Sequence, residues 1–380
     1  MTRYGRAIVI SLSVVLSATA TATAGTFPFV TVESSQYMII ARNRVNGNTD
    51  IATNNFELGA MKAPVPCTDN FLNNGSTGGP TLLGAVPMIP AHAKPLYQGI
   101  GGRGNMAVTD PQGSFELQDV GVYANPSIGI RVAGTSFSLN KSSNSFFNDP
   151  MHFPNTFNPI TQTGWAVNPN DADQSTRIDP PDNNGFNAGV TYGFNHSALL
   201  SELNSARTAI NGLAATSVLN TGNGIINSDT TINLAPGLNV IDILTNNNDF
   251  LLSNANLVID GPAGSSVVFR LLGNTNMLIS NGNILIGKGG IGGDSVMFYT
   301  DQPENDTHFS FSNTILNGIA FWSLGPNGGS IDISNAQGCV QLVADIVDLD
   351  NVRFNGCTFV PEPATLLLLA GAGLAFIRRR

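Results

Sequence analysis

The sequence is poor in charge. Asp, Glu, Lys and Arg make up 11% of its 380 residues, against about 25% in a typical globular chain. Basic residues number 17 against 26 acidic ones, which excludes a basic nucleic-acid binder. Without Glu/Lys/Arg-rich heptads there is no coiled coil. Three cysteines are too few for a disulfide scaffold. The four histidines, His92, His152, His196 and His308, stand far apart with no zinc-ligand spacing. No G-x-S-x-G elbow occurs. Yet 42% of residues are hydrophobic, so a charged disordered chain is disfavoured. What abounds is Gly, with 41 residues, and Asn, which outnumbers it. The class that remains is turn-rich, mainly β, and uncharged on its surface.

Both ends read as addresses. Arg3 and Arg6 precede an apolar core at 7–16, and Ala22-Thr23-Ala24 fits a small-residue cleavage site. Residues 1–24 are expected to be a signal peptide. At the other end, Pro361-Glu362-Pro363 is followed by 14 uncharged residues, 364–377, and the stop cluster Arg378-Arg379-Arg380. That stretch is shorter than the roughly 20 residues of a full span, but its basic end can snorkel and mark the cytoplasmic side. Residues 360–380 resemble the PEP-CTERM sorting signal of Gram-negative bacteria. The resemblance implies a membrane-embedded, exosortase-type processing enzyme as partner, with Pro361, Glu362 and Pro363 as its motif. It also implies anchoring at the inner membrane before release to the envelope or extracellular matrix. A plain C-terminal anchor is the alternative. Removing both segments leaves 12 basic and 25 acidic residues, a net charge near −13.

Between the ends, residues 25–195 read as an irregular β-rich part with a long Asn/Asp/Pro-rich loop at 148–188. A helix is expected over 196–212. Asn195 or Ser197 can cap it, Leu199, Leu203, Ala206 and Ile210 fall at helical spacing, and Gly212 stands at its end. Over 213–359 the chain repeats itself. Ser253-Asn254-Ala255-Asn256 is echoed by Ser280-Asn281-Gly282-Asn283, then by Ser312-Asn313 and Ser334-Asn335, each beside a short apolar run. Periods of 20–50 residues point to a solenoid, and Asn suits its corners because it tolerates the left-handed conformation. The expected fold is an irregular parallel β-helix with one flanking helix; an antiparallel β-sandwich is the alternative. Cys339 and Cys357 lie about one coil apart. Strands stack about 4.8 Å apart, near a disulfide's Cα separation, so these two are expected to pair. Cys67 is then free or paired between chains.

Over most of residues 35–357, with 148–188 excepted, the layout resembles the choice-of-anchor A family of surface proteins, on the strength of Tyr37 to Ala41, Gly129 to Leu139, Leu238 to Ile243 and above all Gly261-Pro262-Ala263-Gly264-Ser265-Ser266-Val267-Val268-Phe269. It is also similar to the irregular β-helix ice-binding family. Neither resemblance supplies a catalytic motif.

Chemistry is sparse. Gly99 to Gly104 and Gly287 to Gly292 both match G-x-G-x-x-G, but neither precedes a helical pattern, so both read as loops. Asp345, Asp348 and Asp350 cluster in one coil. Strict alternation turns Asp348 and Asp350 outward and Val347 and Leu349 inward. Paired acids can cleave glycosides at about 5–9 Å separation; a solvated face is the plainer reading, because no basic partner lies near them in sequence. Asn170, Asp171, Asp173, Asp179 and Asp182 could offer oxygen ligands to Ca²⁺ but lack EF-hand spacing. A threonine ladder for ice is absent. No cofactor and no metal are expected. The expected function is that of a non-enzymatic exported surface or matrix protein associated with exopolysaccharide. A polysaccharide-active β-helix enzyme and an ice-binding protein are the alternatives.

Overall fold

The computed structural model describes residues 33–48, 105–117, 130–134, 193–246, 248–273, 275–300, 308–322 and 328–356. It adds two-residue strands at 57–58, 93–94, 121–122, 137–138, 146–147, 165–166, 177–178 and 190–191. The labels used below are β1 (Ile39–Asn48), α1 (Ser197–Asn211), β2 (His308–Trp322), β3 (Ser330–Asp350) and β4 (Arg353–Gly356); other strands are given by their residues.

The repeating unit is a three-sided coil. Apolar runs of four to seven residues, such as Leu238–Leu244, Phe250–Ser253 and Asn256–Asp260, are broken by Asn or Gly corners. None can bury both its sides alone, so each pairs in parallel with the run one coil later. Face A stacks Ser217–Asn220, Leu238–Leu244, Ser266–Leu271 and Val296–Thr300, then the ends of β2 and β3's 341–344. Face B stacks Ile225–Ile226, Phe250–Ser253, Met277–Ser280 and the starts of β2 and β3. Face C stacks Thr230–Asn233, Asn256–Asp260, Asn283–Gly287, the middles of β2 and β3, and β4. The antiparallel sandwich is thereby displaced: among the described residues, antiparallel strand pairing is confined to two-residue contacts.

The corners follow from backbone sterics. Asn254, Asn281, Asn335 and Asn351 all turn face B into face C at φ 49°, 50°, 51° and 51°, where Asn is tolerated and branched residues are not. The step between coils varies: side chains and backbone link across 24, 27, 28, 32, 22 and 16 residues. The solenoid is therefore irregular in length but regular in cross-section. Inside it, Phe269 stacks on Phe298 at 5.1 Å, and Phe309 meets Trp322 at 4.8 Å. Such fully buried side chains each stabilise the fold by about 1.5–3 kcal/mol.

The chain's first strand does not begin the stack. β1 lies on the last coil: Ile39–Ala41 pairs with Leu342–Ala344 on face A, and Arg44–Asn48 pairs with Ile346–Asp350 on face B. Met106–Val108 and Ser114–Leu117 then pair with β1. Ile130–Val132 and Val190–Thr191 follow on face A. The described strands of the irregular β-rich part at 25–195 thus stack onto the same solenoid.

From there α1 runs back along the outside of face A to the coil that starts at Ser217. Its buried side, Leu199, Leu203, Ala206 and Ile210, packs on Tyr37, Ile40, Ala107, Val268, Met297, Tyr299, Ile319, Phe321 and Val343. Asn195 Oδ1 accepts the Ser197 N–H at 2.9 Å. Gly212 ends the helix at φ −79°, so the left-handed freedom of glycine is not used there.

Candidate functional site

α1 covers face A. On face C, the outward residues Val258, Leu285, Asn317 and Cys339 are buried as well. Face B stays accessible. Its residues alternate: Phe250, Leu252, Met277, Ile279, Phe309, Ile331 and Ile333 point into the core, and their neighbours point out. Ser253, Ser280, Ser312 and Ser334 are stacked in register, one per coil, all half-buried. Adjacent strands lie about 4.8 Å apart, so four hydroxyls repeat along the solenoid axis at that spacing. A second outward row runs beside them: Ile225, Leu251, Leu278, Ser310 and Asp332. The face is thus apolar at the end nearest Ile225, which is 41% exposed, and polar at the other. At 253–254, 280–281 and 334–335 the Ser-Asn echoes of the sequence are the two sides of one corner. Serine ends face B and asparagine turns the chain.

The polar end carries the acids. Ile346 to Asp350 alternates outward and inward, with Asp348 and Asp350 out and Val347 and Leu349 buried. Links from Asn351 to Asn335 and from Asp345 to Gly329 bracket this segment, which sets Asp348 one coil from Asp332. Asp345 does not join them. It is buried and bonds Arg42 at 3.2 Å, while Arg42 also pairs with Asp110 at 3.1 Å. Burial pushes the Asp345 carboxyl up, and the Arg42 guanidinium opposes it. Arg44 reaches both Asp348 oxygens, at 3.2 and 3.3 Å. The acids therefore do have basic partners, contrary to the reading from sequence. Arg42 and Arg44 come from β1, about 300 residues away, and only the stacking of the first coil on the last brings them there. Local spacing carries no sign of this.

Other candidates fall out as follows. Asp260 Oδ1 accepts the Gly289 N–H at 2.8 Å and the Gly261 N–H at 2.9 Å. The glycine loop at 287–292 thus spends its amide on the chain's own carboxylate. The match at 99–104, His92, His152, Cys67, and the calcium candidates Asn170, Asp171, Asp173, Asp179 and Asp182 lie outside the described residues. Among the described residues no group of His, Cys, Asp or Glu could hold a metal ion. Cys339 is buried with a free thiol. Its register partner on the next coil is Asn355, not Cys357. The coil here is 16 residues long, against the 18 between Cys339 and Cys357; Cys357 lies outside the described residues. So do the signal segment and Pro361, Glu362, Pro363, Arg378, Arg379 and Arg380. No described helix is long and apolar enough to cross a membrane.

Comparison with known proteins adds one specific match. Residues 359–380 match the PEP-CTERM protein-sorting motif. No curated protein matches the chain. The crystal structure of a glycosylated ice-binding protein from Arctic yeast aligns at 11% identity and a TM-score of 0.32, over 87% of this chain and 94% of that one. The sorting motif implies export, anchoring at the C-terminus before processing, and an exosortase-type enzyme that acts there.

Proposed function

We propose that this chain is a non-enzymatic surface or matrix protein, processed at Pro361-Glu362-Pro363 and associated through face B with the exopolysaccharide of the cell that exports it. The sorting motif behind a solenoid whose face B presents an accessible row of serines carries the reading. A polysaccharide presents hydroxyls in a linear repeat. Ser253, Ser280, Ser312 and Ser334 meet it with groups that both donate and accept, beside the apolar Leu251 and Leu278. Asp348, engaged by Arg44, serves to join coils and not to cleave sugars.

The test is retention of the processed protein on the producing cell's own exopolysaccharide. Wild type is expected to be retained, and Ser280→Tyr with Ser312→Tyr, which roughen face B, to be retained at least about tenfold less, a loss of roughly 1.4 kcal/mol. Absence of wild-type retention sinks the adhesive role. Sugar release that is lost in Asp348→Asn would replace it with an enzyme, and thermal hysteresis without glycan retention would replace it with ice binding.

A further inference from the structure

The two ends of α1 are held by different chemistry. At its C-terminal end, the Arg270 guanidinium donates to the Ile210 and Leu213 carbonyls at 3.1 and 2.8 Å and bonds Asp242 at 2.7 Å. Tyr299 donates to Asn211 Oδ1 at 3.0 Å. A cation here satisfies the free carbonyls and suits the negative end of the helix dipole.

The N-terminal end rests on an uncharged ring. His196, the residue before the first turn, is 3% exposed. It sits 4.9 Å from the Phe194 ring and 6.5 Å from the Tyr37 ring. Its Nε2 lies 3.2 Å from the Arg131 carbonyl. A carbonyl only accepts, so Nε2 carries the hydrogen and Nδ1 is bare. Nδ1 is buried and has no hydrogen-bond partner. The charged and titratable groups packed around the ring are Arg131, from Ile130–Val132, and Tyr37, from the segment before β1. The Arg131 guanidinium lies 4.5 Å from the Phe194 ring and 2.8 Å from the Tyr37 hydroxyl. The Glu202 carboxylate on α1 is taken by the Glu33 and Ser34 N–H groups at 2.9 and 3.0 Å. Glu33 bears on Tyr37.

We propose that His196 is a proton-operated latch: uncharged, it seals the N-terminal end of α1 to face A, and protonated, it frees that end and uncovers the apolar rows beneath. A proton on Nδ1 would create a buried donor with no acceptor. It would place a second cation beside Arg131, and it would do so at the positive end of the helix dipole. All three effects oppose the closed state. Burial accordingly lowers His196 from 6.5 to about 4. The latch is closed at neutral pH and opens as the pH falls through that range. The C-terminal end, held by Arg270, stays docked, so the helix hinges there.

Hydrogen exchange of the whole processed chain tests this, with rates corrected for their intrinsic pH dependence. Between about pH 7 and about pH 4.5, exchange in the first turns of α1 is expected to rise at least about tenfold relative to its last turn. His196→Gln keeps a donor for the Arg131 carbonyl and cannot titrate, so its ratio is expected to stay flat. The same rise in His196→Gln, or none in wild type, overturns the latch. Should that variant fail to fold, the imidazole NMR titration of wild type decides: a His196 that titrates at its ordinary value, with α1 protected throughout, also overturns it.

Discussion

A buried amide ladder in face C offers the sharpest test of how the coils are held in register. Asn256 donates to Asp229 Oδ1 at 3.0 Å, and Asn283 donates to Asn256 Oδ1 at 2.8 Å. Asn283 Oδ1 in turn accepts the Ile315 N–H at 3.0 Å. Asn256 and Asn283 are both 0% exposed. Asn283→Ala therefore removes the acceptor of one buried N–H and the donor to one buried carbonyl oxygen. Each orphaned group costs about 1–3 kcal/mol, so the expected loss is about 2–6 kcal/mol. Urea unfolding followed by circular dichroism measures it, and an unchanged slope against urea locates the effect in the folded state. The exposed Ser205→Ala on α1 is the control, expected within about 0.5 kcal/mol of wild type. Asn256→Ala combined with Asn283→Ala should show a coupling of at least about 0.5 kcal/mol, because the two share a bond. A loss below about 1 kcal/mol for Asn283→Ala, or strict additivity of the pair, would refute the ladder as a stabilising unit.

Three further outcomes are expected. Leu203→Ala, at the centre of the buried side of α1, should cost about 2–5 kcal/mol in the same assay. Asn254→Val places a branched side chain at φ 49° and should cost about 1–2 kcal/mol, whereas Asn254→Gly should be close to neutral. The third concerns acid. His196 binds its proton more weakly folded, at about 4, than unfolded, at about 6.5, so the unfolded chain holds more protons between those values. Stability must then fall as the pH drops through that window, by up to about 3 kcal/mol. Asp345, pushed up by burial, contributes with the opposite sign in the carboxylate range, and the difference between wild type and His196→Gln in urea melts isolates the histidine.

What the sequence discloses about this fold is what local backbone rules impose. A left-handed corner demands Asn or Gly, so coils of unequal length still left the Ser-Asn echo that betrays the solenoid. The apolar spacing of α1 and the alternation around Asp348 are local in the same sense. The echo, however, holds two kinds of asparagine. Asn254 and Asn281 turn corners, while Asn256 and Asn283 build the buried ladder, and composition alone assigns both to turns. The charged end of face B was hidden because Arg44 meets Asp348 only through the stacking of the first coil on the last. Sequence distance also conceals the setting of His196, whose neighbours Arg131 and Tyr37 lie 65 and 159 residues away. The coil step changes along the chain, down to 16 residues beside Cys339, and no local signal announces it.

The seating of β1 on β3 has a consequence for timing. A chain made and moved from its N-terminus delivers Ile39 early and Leu342 late, yet the two are paired neighbours. The first coil must wait with its edge unpaired while some 300 residues arrive, and contacts so remote in sequence form slowly. Closure comes only once β4 has followed β3. Five residues after Gly356 stands Pro361, the first residue of the Pro-Glu-Pro motif. The coil that seats β1 is thus among the last parts of the chain before the tail that anchors it ahead of processing.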